Sequence, residues 1–320
     1  MKVGVTGATG YLGREVVARL LANGHVVRAL VRRADAPLPP AVERRIVDLA
    51  SANGDLGAEL AGLDVVIHCA AHLGAGDREQ YRRVNVDGTH ALLRASERSN
   101  IRRVVHVSTI AVHGWKQPGS TIGPDDPYDL HPELRDDYAW SKIGADAWAQ
   151  HYRDRGVLEI TVIRPGIIYG PGREFVARII RRLRGPLHLI GGEAGMLLPL
   201  VHVTDVADAV ARAAAHARPA RRPIHVVGPE SPSQGEYLAL RAAHGREPIR
   251  PLYVPFGPTR LGARWIAGRS RQRGVAGARS RLYSLAWTAQ RVRYDLSTAA
   301  RELGWRPRID IAVGLQGTGC

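Results

Sequence analysis

The chain has 320 residues, enough for one large α/β domain or for a nucleotide domain with a smaller cap. It lacks an apolar run of about 18 residues, which excludes a bilayer-spanning helix. With only Cys69 and Cys320, it has no disulfide framework and fits a reducing cytoplasm. The net charge of +15 comes from 45 basic residues, of which only Lys2, Lys116 and Lys142 are lysines, so much of it reads as solvated arginine.

In chain order, short Val- and Ile-rich runs predict strands at Lys2–Thr6, Val26–Val31, Arg45–Val47, Val65–Cys69, Val104–Ser108 and Ile160–Arg164. They are continuous rather than alternating, as in a parallel sheet covered on both faces. Helices are predicted at Tyr11–Ala22, Gln80–Ser99 and Tyr138–Asp154, and the opening strand and glycine turn point away from an export signal. This alternation predicts an α/β fold, a Rossmann-type doubly wound parallel sheet with a smaller C-terminal substrate-binding cap. Residues 1–170 form the dinucleotide domain in this reading, with returns to its core near 198–228, and 171–320 mostly form the cap. Pro- and Gly-rich residues from Trp115 to Asp137 predict a long loop at the sheet's C-terminal edge, where ligands bind in such folds. Later come a helix at Glu174–Arg184, a strand near Leu198–Val203, a helix at Thr204–Ala217 and a strand at Ile224–Val227. Further helices are expected at Gln234–Ala243, Thr259–Ala267 and Thr298–Leu303, with a mobile element at Gly268–Arg281.

Two motifs carry chemistry. Thr6-Gly7-Ala8-Thr9-Gly10-Tyr11-Leu12-Gly13 joins a strand to a helix, and such a turn lets backbone N–H groups approach a pyrophosphate at a helix N-terminus. Tyr138-Ala139-Trp140-Ser141-Lys142 sets a phenol and an ammonium at i and i+4 on one helix face. A phenol is a poor base at neutral pH, and a neighbouring ammonium favours the phenolate. After the second strand, where an acid would bind the adenosine ribose, stand Arg32 and Arg33. Guanidinium groups there favour a 2′-phosphate, hence NADP, with NAD the alternative.

The Gly7-x-x-Gly10-x-x-Gly13 spacing resembles the extended short-chain dehydrogenase/reductase family, of the NAD-dependent epimerase/dehydratase type, whose signature is T-G-x-x-G-[YF]-[IL]-G. Further segments match its pattern: His68-Cys69-Ala70-Ala71, Val84-Asn85-Val86-x-Gly88-Thr89, Arg164-Pro165-Gly166-Ile167-Ile168-Tyr169-Gly170-Pro171 and Val201-His202-Val203-x-Asp205-Val206-Ala207. The resemblance implies that Thr109 is the catalytic hydroxyl, Tyr138 the proton donor, Lys142 its activator and ribose ligand, and Asn85 a support for the lysine. It implies cofactor contacts from Gly7, Thr9, Gly10, Tyr11, Leu12, Gly13, Asp48, Leu49, Cys69, Ala70, Ala71, Ser108, Pro165, Gly166, Ile167 and Ile168, beside Arg32 and Arg33. For substrate it points to Leu73, Thr109, His113, Trp115, Ile168, Phe175 and Met196; no metal is expected. Dimerisation through Gln80–Ser99 and Tyr138–Asp154 is implied likewise.

Within that family, dehydratases carry an Asp and a Glu after the catalytic Thr. Ile110 and Ala111 stand there and move no proton. Nucleotide-sugar epimerases carry an arginine before V-H-V, where this chain has Leu197-Leu198-Pro199-Leu200. The resemblance is therefore to the 3β-hydroxysteroid-dehydrogenase-like and flavonoid-reductase-like branch, an NADP-dependent reductase or dehydrogenase interconverting an apolar ketone and a secondary alcohol. The alternatives are a nucleotide-sugar 4-epimerase with tightly bound NAD and a non-catalytic cofactor sensor. From Pro248 to Tyr294 the chain has no acid and ten arginines. Sparse aromatics there argue against nucleic acid, and surface solvation or a substrate lid is favoured over a membrane surface.

Overall fold

The computed structural model describes residues 1–51, 56–173, 180–191, 193–244, 249–254 and 291–316. Its centre is a seven-stranded parallel sheet. Strands β1 (Lys2–Thr6), β2 (Val26–Val31), β3 (Glu43–Ile46), β4 (Val65–His68), β5 (Arg103–Val107), β7 (Glu159–Pro165) and β12 (Ile224–Val226) lie in the order β12-β7-β5-β4-β1-β2-β3. All six pairings are parallel. The order reverses between β1 and β4, so a crevice opens at their C-terminal ends.

The apolar runs bury residues to both faces. Val3, Val5, Ile67 and Val105 pack under α1 (Tyr11–Ala22) and α6 (Val203–Ala215), with Val16, Leu20, Val206 and Val210 opposite them. Val66, Val104, Ile160 and Val162 pack on the other face against α4 (Gly88–Arg98) and α5 (Asp137–Asp154), through Leu92, Leu93 and Ala149. Trp305 seals the first face and donates its indole N–H to the Asp205 carbonyl at 3.1 Å.

Two sequence expectations change. The helix expected at Gln80–Ser99 is interrupted: α3 (Arg78–Tyr81) runs into a π-helical turn, Arg82–Asp87, before α4 begins at Gly88. The extra residue of that turn leaves Asn85 buried at 1% exposure. The helix expected over Glu174–Arg184 is, where it is described, strand β9 (Ile180–Arg184), antiparallel to β10 (Leu187–Gly191). Gly185, at φ +53°, and Pro186 reverse the chain between them. β13 (Arg250–Val254), which periodicity did not disclose, pairs with β10. The expected helix Thr259–Ala267 and mobile element Gly268–Arg281 lie outside the described residues. The loop from Trp115 to Asp137 holds one short strand, β6 (Thr121–Ile122), paired with Arg293–Tyr294, designated β14. Among the described residues no helix is long and apolar enough to cross a membrane.

Candidate active site

The crevice is built on one side from backbone. Gly7 takes φ +67°, and a Cβ there would lie 2.6 Å from the Ala70 nitrogen. A Cβ on Gly13 would strike the Gly7 carbonyl oxygen. Both glycines let β1, α1 and the end of β4 close on one another. Gly10 is the N-cap of α1, which has no side-chain cap and no acid in its first turn. Its first N–H groups have no intrahelical partner, so turn and helix form a fitting seat for a dinucleotide pyrophosphate. Thr9 and Leu12 belong to the same turn, and Tyr11 packs across to Gly170 and His202. Burial raises the Tyr11 phenol to about 12.

One hydrogen-bonded chain ties this turn to the centre of the sheet. Ala70 N–H donates to Thr6 Oγ at 3.2 Å, and Thr6 Oγ lies 2.7 Å from His68 Nδ1. His68 Nε2 lies 2.9 Å from Thr89 Oγ, which donates to the Asn85 carbonyl at 2.6 Å. Donor accounting puts the His68 proton on Nε2. Burial, with Lys142 nearby, lowers this histidine to about 3, so it stays neutral.

The other side is built from α5. Asp136 caps its start, accepting from Ala139 N–H at 2.7 Å. Tyr138 is half-buried one turn before Lys142, which is 3% exposed and donates Nζ to the Val107 carbonyl at 2.8 Å. Burial lowers this ammonium to about 8, while Asp146 opposes the shift. Ser108, next along β5's end, donates Oγ to Asp146 at 2.6 Å. Thr109 follows, its Oγ accepting from Ala111 N–H at 3.2 Å at the cap of a short 3-10 turn, Ile110–Val112. Its own O–H therefore remains a donor. Arg135, buried at 1%, braces that turn through the carbonyls of Ala111 (2.7 Å) and His113 (3.0 Å) and the carboxylate of Asp129 (2.7 Å).

Thus β1, β4, β5 and α5 bring Gly7, Gly10, Gly13, Cys69, Ala70, Ala71, Ser108, Thr109, Tyr138 and Lys142 to one end of the sheet. Pro165, Gly166, Ile167 and Ile168 stand at the same edge, where Gly166 passes so close to the Pro199 carbonyl that a Cβ would collide with it. Arg32 and Arg33 follow β2; both are exposed, and Arg33 pairs with Asp35 at 3.0 Å. Asp48 is exposed and folds a local turn onto Ala50 N–H, with Leu49 buried beneath. Leu73, which follows β4, and Trp115, which follows the 3-10 turn after β5, are exposed, 44% and 46%.

Two expectations are corrected. His113 does not line the cleft: it is fully buried, with Nε2 2.9 Å from His225 Nε2 and 3.3 Å from Arg164 Nη1. Asn85 reaches the turn of Lys142 through Ser141, donating to its Oγ at 2.8 Å, and accepts from His72 N–H at 2.6 Å. Met196 is buried within its own turn, its sulfur accepting from Glu193 N–H. Phe175 lies outside the described residues. Sequence reasoning passed over Asp146, Arg135 and Asp129. Asp146 had one available signal, its i+8 spacing from Tyr138; the other two had none.

The chain matches the model of the NAD dependent epimerase/dehydratase family over residues 3–228. It belongs to that family. A putative dihydroflavonol 4-reductase from Synechocystis sp. is 30% identical over 94% of this chain and 88% of its own length. A UDP-glucose 4-epimerase from Vibrio cholerae is 27% identical over 98% and 93%. Among solved structures, MoeE5 in complex with UDP-glucuronic acid and NAD superposes with a TM-score of 0.74 at 26% identity, covering 99% of this chain and 97% of that one. The protein is therefore an NAD(P)-dependent enzyme of the extended short-chain dehydrogenase/reductase kind.

Proposed function

We propose that the enzyme is an NADP-dependent reductase interconverting an apolar ketone and a secondary alcohol. The observation that carries this reading is the convergence at one sheet edge of a glycine seat with a half-buried phenol, a buried ammonium and a hydroxyl whose proton is free to donate. When bound, the nicotinamide supplies the hydride. Tyr138 gives its proton to the carbonyl oxygen, Lys142 favours the resulting phenolate, and the Thr109 hydroxyl steadies the developing alkoxide. Gly7, Gly10, Gly13 and the start of α1 hold the pyrophosphate, Lys142 the nicotinamide ribose, and Arg32 and Arg33 a 2′-phosphate. Leu73 and Trp115, apolar and exposed beyond the ends of β4 and β5, favour an apolar substrate, and the cap is assigned to residues from 171 onward. The reductase from Synechocystis supports the same direction.

The epimerase among the relatives keeps one second reading in view, a nucleotide-sugar 4-epimerase with retained NAD. The uncharged run Leu197–Leu200 disfavours it, since a diphosphate needs a cation there. We assign the functional form as a cytoplasmic homodimer through α4 and α5, on whose outer side Trp148 stacks on His90 at 3.8 Å; light scattering at the monomer mass contradicts it. The test of function is a panel of apolar ketones run with NADPH and with NADH, beside UDP-glucose. Faster loss of NADPH with a ketone supports the reading. Sugar epimerisation without net cofactor consumption overturns it.

A further inference from the structure

The part of this site with no assigned task is the buried ionic cluster behind it. Asp146 is wholly buried and stands one turn beyond Lys142, so Tyr138, Lys142 and Asp146 form one stripe at i, i+4 and i+8 on α5. Its carboxylate accepts from Ser108 Oγ (2.6 Å), Arg164 Nε (3.0 Å) and the Tyr128 hydroxyl (3.1 Å). Arg164, 1% exposed, also donates to the Pro124 carbonyl at 3.0 Å. Lys142 and Asp146 therefore grip consecutive residues of β5's end, the Val107 carbonyl and the Ser108 hydroxyl, directly before Thr109.

From this juxtaposition we infer that Asp146 is a positioning residue for the chemistry, fixing Thr109 through Ser108 and keeping the Lys142 side chain an ammonium in a buried place. The first role is geometric: Ser108 is held by the Asp146 carboxylate on one side and by its own N–H to the Ile163 carbonyl (2.7 Å) on the other. That leaves Thr109 little freedom relative to Tyr138. The second is electrostatic. The groups facing Lys142 are Tyr138 and Asp146 on its own helix, His68 and Cys69 from β4's end and His106 from β5. Burial holds both histidines neutral and raises the Cys69 thiol to about 12, so it too is neutral. Asp146 is then the anion that offsets the lysine's burial, and Arg164 keeps it ionised.

The inference rests on the proposed reading for its meaning, but its test does not need a substrate. The chain has three lysines, so carbon-13 lysine labelling gives three side-chain signals to follow through a pH titration. Lys142 is expected to titrate near 8. In Asp146→Asn its midpoint falls by about one pH unit or more, while Lys2 and Lys116 stay in place. If the single variant leaves Arg164 too poorly paired to fold, the double variant Asp146→Leu/Arg164→Met, which removes the carboxylate and its guanidinium partner together, carries the same measurement with a smaller fall, because the nearby Arg164 cation is lost as well. A Lys142 midpoint unchanged in either folded variant overturns the inference. A negative ketone screen would overturn the proposed function and leave this titration standing.

Discussion

The two sides of the crevice solve the same problem with opposite materials. Around β1 and α1 the site is nearly free of side chains: three glycines bring backbone together, and the uncapped helix start presents N–H groups. Around β5 and α5 it is dense with buried polar side chains, with Asp146, Arg164, Arg135, Ser108 and Lys142 all under 4% exposed. The contrast follows from the tasks. A phosphate is held well by fixed backbone dipoles that nothing crowds. Proton transfer needs titratable groups whose charge is set by their neighbours.

Breaking the ionic side should cost most. Arg164→Met leaves the Asp146 carboxylate buried without its cation, for a loss of about 3–5 kcal/mol in urea unfolding. The double variant with Asp146→Leu should recover most of that loss. A single variant as stable as wild type would mean that the cluster is solvated and that the contrast fails. On the backbone side, Gly13→Ala drives a methyl into the Gly7 carbonyl, and about 1–3 kcal/mol is expected, together with weaker NADPH binding measured by fluorescence. Gly24→Ala is the matched control: Gly24 has φ +75° but open space around it, so only strain of about 1 kcal/mol remains and NADPH binding is untouched. Equal binding in both variants would remove the seat.

A pH-dependent effect also marks the side-chain half of the site. His68, His113 and His225 are held neutral by burial, each lowered to about 3. Unfolded, each takes up a proton below about 6.5, so the unfolded state binds more protons between these limits. Stability is then full above pH 6.5 and is lost as pH falls towards 3, by about 1.4 kcal/mol per histidine at pH 5.5. Urea midpoints at pH 7.5 and 5.5 check this, and replacing His113 and His225 together by Phe should flatten the slope. Asp146, held low by Arg164, adds no slope between pH 5.5 and 7.5, because there it is ionised in both states.

The same contrast explains what could be read from the sequence. β1, α1 and β2 were legible to the residue, because continuous Val and Ile runs and the Gly7-Gly10-Gly13 spacing encode local geometry. Tyr138 and Lys142 were legible as an i, i+4 pair. The hydrogen bonds of Asp146 to Ser108 and Arg164 join residues 38 and 18 positions apart, and those of Arg135 reach across a loop, so no local pattern announces them. His113 was placed at substrate by its alignment on the family's V-Y-G segment alone, whereas here the β-bridge to Tyr128 sets it against His225. Of the expected Glu174–Arg184 helix, the described part, Ile180–Arg184, is a strand instead, because the turn at Gly185-Pro186 pairs it back onto β10.

The central claim is tested most directly by Tyr138→Phe, measured beside wild type for NADPH consumption with a ketone substrate and for NADPH affinity. The account predicts nearly unchanged affinity and turnover lower by about 10²-fold or more. Equal turnover in the two proteins would contradict it.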